Sequence, residues 1–176
     1  MHHPIPLYIR RISAPLAELI TLAEAKLYLR IDHTQEDIFI SELIVAVRMF
    51  AEDYLGKSLV TQDWQVGYDT SCASYLLPMQ PVQHINQIEA ISNNASHVID
   101  AHQYNLTYPN LLTLQHDNTT EITVQYRSGA DAFNQPMALK QAMLAHIALC
   151  YERRGEDILQ PLPAHRLYEP YKEVHI

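Results

Sequence analysis

Ten histidines are the residues of this sequence best suited to chemistry, because an imidazole can bind a metal ion or transfer a proton near neutral pH. His97 and His102 are five residues apart, and no two histidines stand four positions apart, the spacing that places two ligands on one helix face. His146 lies among apolar residues, which is typical of a buried histidine with a structural role. The histidine pattern therefore predicts no metal site.

Nucleophiles and acidic pairs give no stronger indication of an active site. Cys150 lies in an apolar stretch, an environment that raises the pKa of a thiol and makes it unreactive. Glu36 and Asp37 are adjacent, so their carboxylates would point apart on a helix and could not act as a pair. The four glycines are too far apart to form a phosphate-binding loop. We therefore predict no catalytic residue, no cofactor and no metal.

The composition excludes further classes of protein. Of the 176 residues, 48% are hydrophobic and 18% are charged, which is typical of a globular chain rather than a disordered one. The formal net charge of −8 would repel the backbone of a nucleic acid. No run of about 18 apolar residues is present to cross a membrane. Two cysteines without a signal peptide indicate a reducing compartment, so we expect an intracellular protein with no membrane partner.

Helix signals occur in two regions that flank the middle of the chain. Thr21 and Glu24 form a capping box, which predicts a short helix that continues to about Arg30. A long helix is predicted over residues 35–55, and Gly56 is the expected stop residue just past its end. Two more helices are predicted at Met137–Arg154, which Gly155 would end, and at Ala164–Glu169.

Between these regions, residues 57–134 alternate apolar and polar side chains with a period of two, which predicts strands. The connections between the strands are short, so neighbouring strands should pair in antiparallel hairpins. The predicted strands are Leu59–Asp69, His84–Ser92, Tyr104–Tyr108, Leu111–Leu114 and Glu121–Arg127.

These elements predict an α+β protein that is mainly a helical bundle. Its four helical pieces come from residues 21–56 and 135–176, which form one discontinuous helical domain. The antiparallel β lobe, residues 57–134, is inserted between the second and third helices. Residues 1–20 are expected to form an N-terminal extension.

The long helix has more apolar surface than one core-facing stripe requires. Placed at 100° per residue, Ile38, Val45 and Met49 form a second, narrow stripe nearly opposite the core face. Polar residues, among them Arg48 and Glu52, flank this stripe. Contiguous exposed apolar surface usually marks an interface, so we predict that Ile38, Val45 and Met49 contact another copy of the chain. The predicted core face consists of Phe39, Leu43, Val47, Phe50 and Tyr54, with Ile40, Ile44 and Ala51 beside them.

An ordered set of short motifs resembles the head-to-tail connector family of long-tailed phages and prophages, a family of head-completion adaptors. The resemblance covers about residues 19–173, and the turn Gly129-Ala130-Asp131 departs from it by lacking a second glycine. The motifs include Thr21-Leu22-Ala23-Glu24-Ala25-Lys26, Leu29-Arg30-Ile31-Asp32, Tyr54-Leu55-Gly56-Lys57-Ser58-Leu59, Val124-Gln125-Tyr126-Arg127-Ser128-Gly129 and Leu139-Lys140-Gln141-Ala142-Met143-Leu144.

The resemblance implies a structural virion protein, not an enzyme, with a role in virion assembly and DNA packaging. Such a protein assembles in the host cytoplasm and forms a homo-oligomeric ring of about twelve copies in the virion neck. Its implied partners are the portal protein above it, the next neck or tail-completion protein, and passing double-stranded DNA in transient non-specific contact.

We further expect the polar, proline-bounded end of the chain to contact the portal or the next neck protein, through Arg166, Tyr168, Tyr171 and Lys172. Two alternatives remain open at this point. The chain could be a small intracellular hydrolase that forms a His/Asp pair on folding, or a cytoplasmic regulatory binding module. Ring formation would favour the connector over the binding module, and a protein without a pocket of converging polar groups would disfavour the hydrolase.

Overall fold

The computed structural model describes residues 3–69, 72–92, 95–115, 120–130, 135–154 and 164–172. The chain divides into two compact units. We call Met1–Leu16 with Val60–Ala130 the β unit, and Ala17–Leu59 with Asp131–Ile176 the helical unit. Within the described residues, no helix combines the length and the apolar character needed to cross a lipid bilayer.

The β unit contains two antiparallel sheets. The described strands, in chain order, are β1 (Tyr8–Arg11), β2 (Gln62–Tyr68), β3 (Ser74–Leu76), β4 (Val82–Ser92), β5 (Ala95–Val98), β6 (Tyr104–Thr107), β7 (Leu111–Leu114) and β8 (Glu121–Ser128). One sheet has the order β1-β2-β8-β4-β5, and the other has the order β3-β7-β6. In the larger sheet Val124 of β8 lies opposite Val66 of β2 and Ile88 of β4, so its apolar residues share a face.

The core of the β unit is rich in tyrosine. The rings of Tyr68, Tyr75 and Tyr126 are fully buried, and the Tyr68 and Tyr75 ring centroids are 4.9 Å apart. Buried hydroxyl groups need partners. The Tyr68 hydroxyl donates to the carbonyl of Leu76 at 2.8 Å, and the Tyr126 hydroxyl donates to the carbonyl of Pro78 at 2.7 Å. The sheet core therefore contains tyrosines whose polar ends are satisfied.

The helical unit contains four described helices, α1 (Leu22–Leu29), α2 (Asp37–Leu55), α3 (Met137–Glu152) and α4 (His165–Tyr168). The capping box that begins α1 is confirmed: the Thr21 N–H donates to Glu24 Oε2 at 2.8 Å, and the Glu24 N–H donates to Thr21 Oγ1 at 3.2 Å. Gly56 ends α2 in the left-handed region, with φ of 64°, as predicted. The predicted stop at Gly155 lies outside the described residues.

The expectation of a protein that is mainly a helical bundle of four helical pieces with an inserted β lobe is wrong. The described residues form eight strands in two sheets, while α4 spans four residues and α1 eight. The five predicted strands are present with small shifts at their ends. The missed strands β1, β3 and β5 have three or four residues each, so their period-two pattern is weak. Pairing with longer neighbours, rather than a local signal, makes them strands. The equally short β6 and β7 were predicted because the turn signal Pro109-Asn110 lies between them.

Arg48 and Glu52, two of the polar residues that flank the apolar stripe, are buried rather than open to solvent. Arg48 Nε donates to Glu18 Oε2 at 2.7 Å, and Arg48 Nη1 donates to Glu52 Oε2 at 2.6 Å. Glu52 Oε1 accepts the backbone N–H of Leu59 at 2.9 Å. A buried charge is tolerated only when it is paired and hydrogen-bonded, and this network supplies both.

Candidate interaction surface

The outer face of α2 is exposed in the protomer. Ile38 is 79% exposed, Met49 40% and Val45 37%. With Ala46 they line an open groove of about 560 Å³ formed only by residues of α2. Helical periodicity produces this face, because residues 38, 45 and 49 are separated by seven and then four positions. The structure thus leaves the predicted interface residues accessible to a partner.

Charge on the same face has a single sign. Glu42 and Asp53 are exposed and lie on the stripe, four residues beyond Ile38 and Met49 respectively. Asp37, at the start of the helix, accepts a hydrogen bond from Lys26 Nζ at 2.6 Å. The basic residue of α2, Arg48, is buried. We define the α2 face as Ile38, Glu42, Val45, Met49 and Asp53, and its exposed surface is apolar and acidic.

The opposite face of α2 forms much of the core of the helical unit. Ile40, Ile44, Val47 and Ala51 are buried, as predicted. Phe50 is different: it was predicted in the core but is 41% exposed, with its ring edge-on to His146 at a centroid distance of 5.0 Å. An aromatic ring at the rim of a core can pack through one side and remain open to water on the other.

The predicted contact residues near the end of the chain fall into two groups. Tyr168 is fully buried and its hydroxyl lies 3.0 Å from His146 Nδ1, so it belongs to the interior of the protomer. Arg166 and Lys172 are exposed and Tyr171 is half-buried; Lys172 Nζ lies 4.9 Å from the ring centroid of Tyr54. Only the second group presents side chains that a partner could reach.

His146 has the structural role that its apolar surroundings predicted. It is 3% exposed, and burial lowers its pKa to about 4 because the charged imidazolium is poorly solvated there. A histidine that stays neutral can share one hydrogen bond with the Tyr168 hydroxyl. The pair joins α3 to α4 and contributes no open chemical site.

A polar cluster that the sequence analysis did not find joins the start of α2 to the end of α3. The Tyr151 hydroxyl donates to Glu36 Oε2 at 2.5 Å, and Arg154 Nη1 donates to Glu36 Oε1. These two donors, Tyr151 first and Arg154 second, lower the pKa of Glu36. The Arg154 guanidinium also lies 4.5 Å from the ring centroid of Tyr151. Since the partners are more than 100 positions apart, no local pattern could have indicated the cluster.

Chemistry-bearing side chains do not gather elsewhere in the part of the chain that the structure describes. There, no group of three or more histidine, cysteine, aspartate or glutamate residues could hold a metal ion. The two cysteines are free and half-buried, and burial raises the pKa of Cys150. In the helical unit, the described surface is distinguished by the α2 face.

The protomer is a β-rich α+β protein with an exposed helix face that is apolar and acidic. Such a surface is typical of the class of proteins that act by contact with other proteins. Residues 18–154 match the family model described as "Head completion protein", and the chain belongs to that family. The resemblance seen in the sequence is therefore confirmed, and the chain is a structural head-to-tail connector protein. No curated protein matches it.

Solved structures with the same fold come from gene transfer agent (GTA) particles. A chain in the neck of an empty GTA particle computed with C6 symmetry has a TM-score of 0.78 at 16% identity. A chain in the virion of a native GTA particle has a TM-score of 0.77 at 17% identity. A chain in the neck of a native GTA particle computed with C12 symmetry has a TM-score of 0.69 at 16% identity. Each comparison covers 97% of both chains, so the likeness extends over the whole fold.

Proposed function

We propose that this protein forms a homo-oligomeric ring in the neck of a phage-like particle, between the portal and the tail, and that packaged DNA passes through the ring. The observation that carries this proposal is the head completion family match over residues 18–154. Similar folds in GTA necks computed with C6 and C12 symmetry support a cyclic assembly. The protein would act by holding other proteins in place rather than by catalysis.

A ring requires a heterologous interface, in which each copy uses two different patches to meet its two neighbours. We propose the stripe Ile38, Val45 and Met49 as part of one such patch. Its apolar side chains are exposed in the protomer, and burial of apolar surface is the main favourable term in most protein association. The ring can close on the portal even where the free protein is monomeric.

The charge of the chain suits a conduit for DNA. A surface that binds DNA tightly needs basic residues that replace the counterions of the phosphates. This chain has a formal net charge of −8, and residues 58–126 contain neither lysine nor arginine. We propose that contact with passing DNA is transient and non-specific, because a chain with net negative charge repels the polyanion.

The described residues support the connector role better than a catalytic one. The histidine with the most clearly shifted pKa, His146, is sealed in the core against Tyr168 and Phe50, where a substrate would not reach it. A hydrolase would need a convergent set of polar groups in an accessible pocket. The described groove on α2 is apolar and open instead.

The proposal predicts that charge placed on the stripe prevents ring closure. Val45→Asp should abolish rings assembled on purified portal, because an aspartate would be left desolvated in an apolar contact. Leu27→Asp is the control, since Leu27 is an exposed apolar residue of α1, 81% exposed, that does not line the groove of α2. Electron microscopy and mass photometry of portal mixed with each variant would count the rings. Normal rings from Val45→Asp, with native-like circular dichroism, would remove the stripe from the interface.

A further inference from the structure

A second exposed apolar surface lies on the β unit, along residues 5–16, which we call the N-terminal segment. Its backbone is held extended at the sheet edge: the Leu7 N–H donates to the Gly67 carbonyl at 2.8 Å, and the Ile12 N–H donates to the Asp63 carbonyl at 2.9 Å. Apolar side chains on an ordered, exposed strand usually mark a contact. The large apolar residues exposed here are Ile5, Leu7, Tyr8, Ile9, Ile12 and Leu16.

The N-terminal segment carries positive charge without negative charge. Arg10 and Arg11 lie within it, and residues 3–16 contain neither aspartate nor glutamate. Arg10 Nε donates to Gln65 Oε1 at 2.7 Å, so this side chain lies along the sheet. The segment is therefore apolar and basic, whereas the α2 face is apolar and acidic. Surfaces with opposite charge and exposed apolar groups are complementary.

The two surfaces also match in length. From Ile38 to Asp53 a helix rises about 22 Å. From Ile5 to Ile12 an extended chain spans about 23 Å. A strand edge of this length can therefore contact the whole of the α2 face.

We propose that the N-terminal segment of one copy packs against the α2 face of the next copy, and that this contact is one interface of the ring. The inference rests on the proposed ring and names the second patch that a heterologous contact requires. Each copy offers one basic strand edge and one acidic helix face, so the contact repeats around a ring until it closes. Two α2 faces would instead bring like charges together, which disfavours a two-fold dimer.

DNA and the portal are weaker candidates for the α2 face. The acidic side chains Glu42 and Asp53 would repel DNA phosphates. A contact with the portal would leave the exposed apolar residues of the N-terminal segment without the complementary surface that a sister copy provides.

Disulfide trapping between differently tagged copies tests the contact even where rings do not accumulate. In a Cys72→Ala, Cys150→Ala background, a copy with Ile5→Cys is mixed with a copy carrying Ile38→Cys, Met49→Cys or the control Leu27→Cys. Ile38 and Leu27 are 79% and 81% exposed, so the two thiols are equally accessible. Position 38 lies in the first turn of α2, where a thiol is more reactive, so each cross-linking rate is divided by the rate at which the same thiol reacts with a small disulfide. Non-reducing gels then follow the growth of the mixed dimer in a glutathione buffer.

We expect Ile5→Cys to cross-link to position 38 or to position 49 about tenfold faster than to position 27, because docking raises the effective concentration of the two thiols. A second copy with Ile12→Cys should prefer the other end of the α2 face. Equal rates at all three positions would overturn the inference. Faster cross-linking of Ile38→Cys to itself than to Ile5→Cys would overturn it too, since that indicates a two-fold contact.

The outcomes separate this inference from the proposed function. Rings that form on the portal while cross-linking stays unselective would leave the ring in place and remove the N-terminal segment from its interface. Selective cross-linking in a protein that never closes a ring would contradict the ring while retaining the contact between copies.

Discussion

At the scale of single residues, burial changes what a side chain can do. Arg48 flanks the apolar stripe in the sequence pattern, yet its side chain is enclosed with Glu18 and Glu52 and no partner protein can reach it. Tyr168 reads as a contact residue, yet its hydroxyl lies against His146. Since a buried polar group must be satisfied within the protomer, its energetic role is internal stability rather than recognition.

His146 makes the stability of the protein depend on pH. Its pKa is lowered to about 4 in the folded chain, whereas an unfolded histidine titrates near 6.5. Below about pH 6.5 the unfolded state binds a proton at this histidine and the folded state does not, so the free energy of unfolding falls as pH drops from 6.5 towards 4. Between pH 7.5 and 4.5 this one group should contribute a loss of about 2.5 kcal/mol.

The measurement is urea unfolding of the wild-type chain and of His146→Gln at both pH values. The glutamine can still hydrogen-bond Tyr168 but does not titrate, so the variant should lose less stability on acidification by about that amount. Identical pH dependence in the two proteins would show that His146 is protonated in the folded state as readily as in the unfolded one.

At the scale of elements, glycine geometry governs the end of the last strand. Gly129, just past β8, has φ of 110°, and a Cβ there would lie 2.2 Å from the carbonyl oxygen of Val60. Gly56, past α2, has φ of 64°, but nothing lies within 4 Å of the position of its Cβ. A side chain at residue 129 is therefore disfavoured both by the positive φ and by the close contact with residue 60, whereas at residue 56 it is disfavoured by the positive φ alone.

Substitution of the two glycines by alanine should therefore lower the free energy of unfolding by unequal amounts. Gly129→Ala should lower the free energy of unfolding by about 3 kcal/mol or more, because both the backbone strain and the close contact must be relieved. Gly56→Ala should cost about 1 kcal/mol, since only the left-handed conformation is disfavoured. Urea denaturation of both variants gives the comparison, and equal costs would contradict a close approach between residues 129 and 60.

At the scale of the whole molecule, the proposed contact surfaces are ones that the protomer leaves exposed. The β unit and the helical unit each have their own core, so neither depends on the α2 face or on the N-terminal segment for burial. Contact residues can be changed on such surfaces with little effect on folding. Because the proposed contact surfaces are separate from the cores, a variant that keeps its stability but loses assembly identifies a contact residue.

Arg166 tests the proposed contact of the chain end with the portal or the next neck protein. Arg166→Glu should weaken binding to purified portal or to DNA-filled heads by roughly tenfold, because reversing a charge at an interface replaces attraction with repulsion. Arg30→Glu is the control, an exposed arginine of the same helical unit at the end of α1. Co-sedimentation measures both, and an equal loss for the two variants would indicate a general effect of charge instead of a contact at Arg166.

Much of the secondary structure was predictable from local signals. The capping box at Thr21, the glycine after α2 and the apolar periodicity of residues 35–55 each act within one or two helical turns. The longer strands were predictable because period-two alternation extends over several residues. The exposure of the stripe Ile38, Val45 and Met49 followed from the angle of these residues around the helix.

By itself, the sequence determined the helices, the longer strands, the family and the apolar stripe, because each depends on residues that are close together along the chain or on an ordered set of motifs. Only the tertiary structure decided that strands would make up about as much of the protein as helices. It also decided that the side chains of Arg48 and Tyr168 would be buried, and that residues 8–11 would form a sheet edge. The reason is that burial and strand pairing depend on partners far apart in sequence, such as 18 with 48, 146 with 168 and 8 with 67.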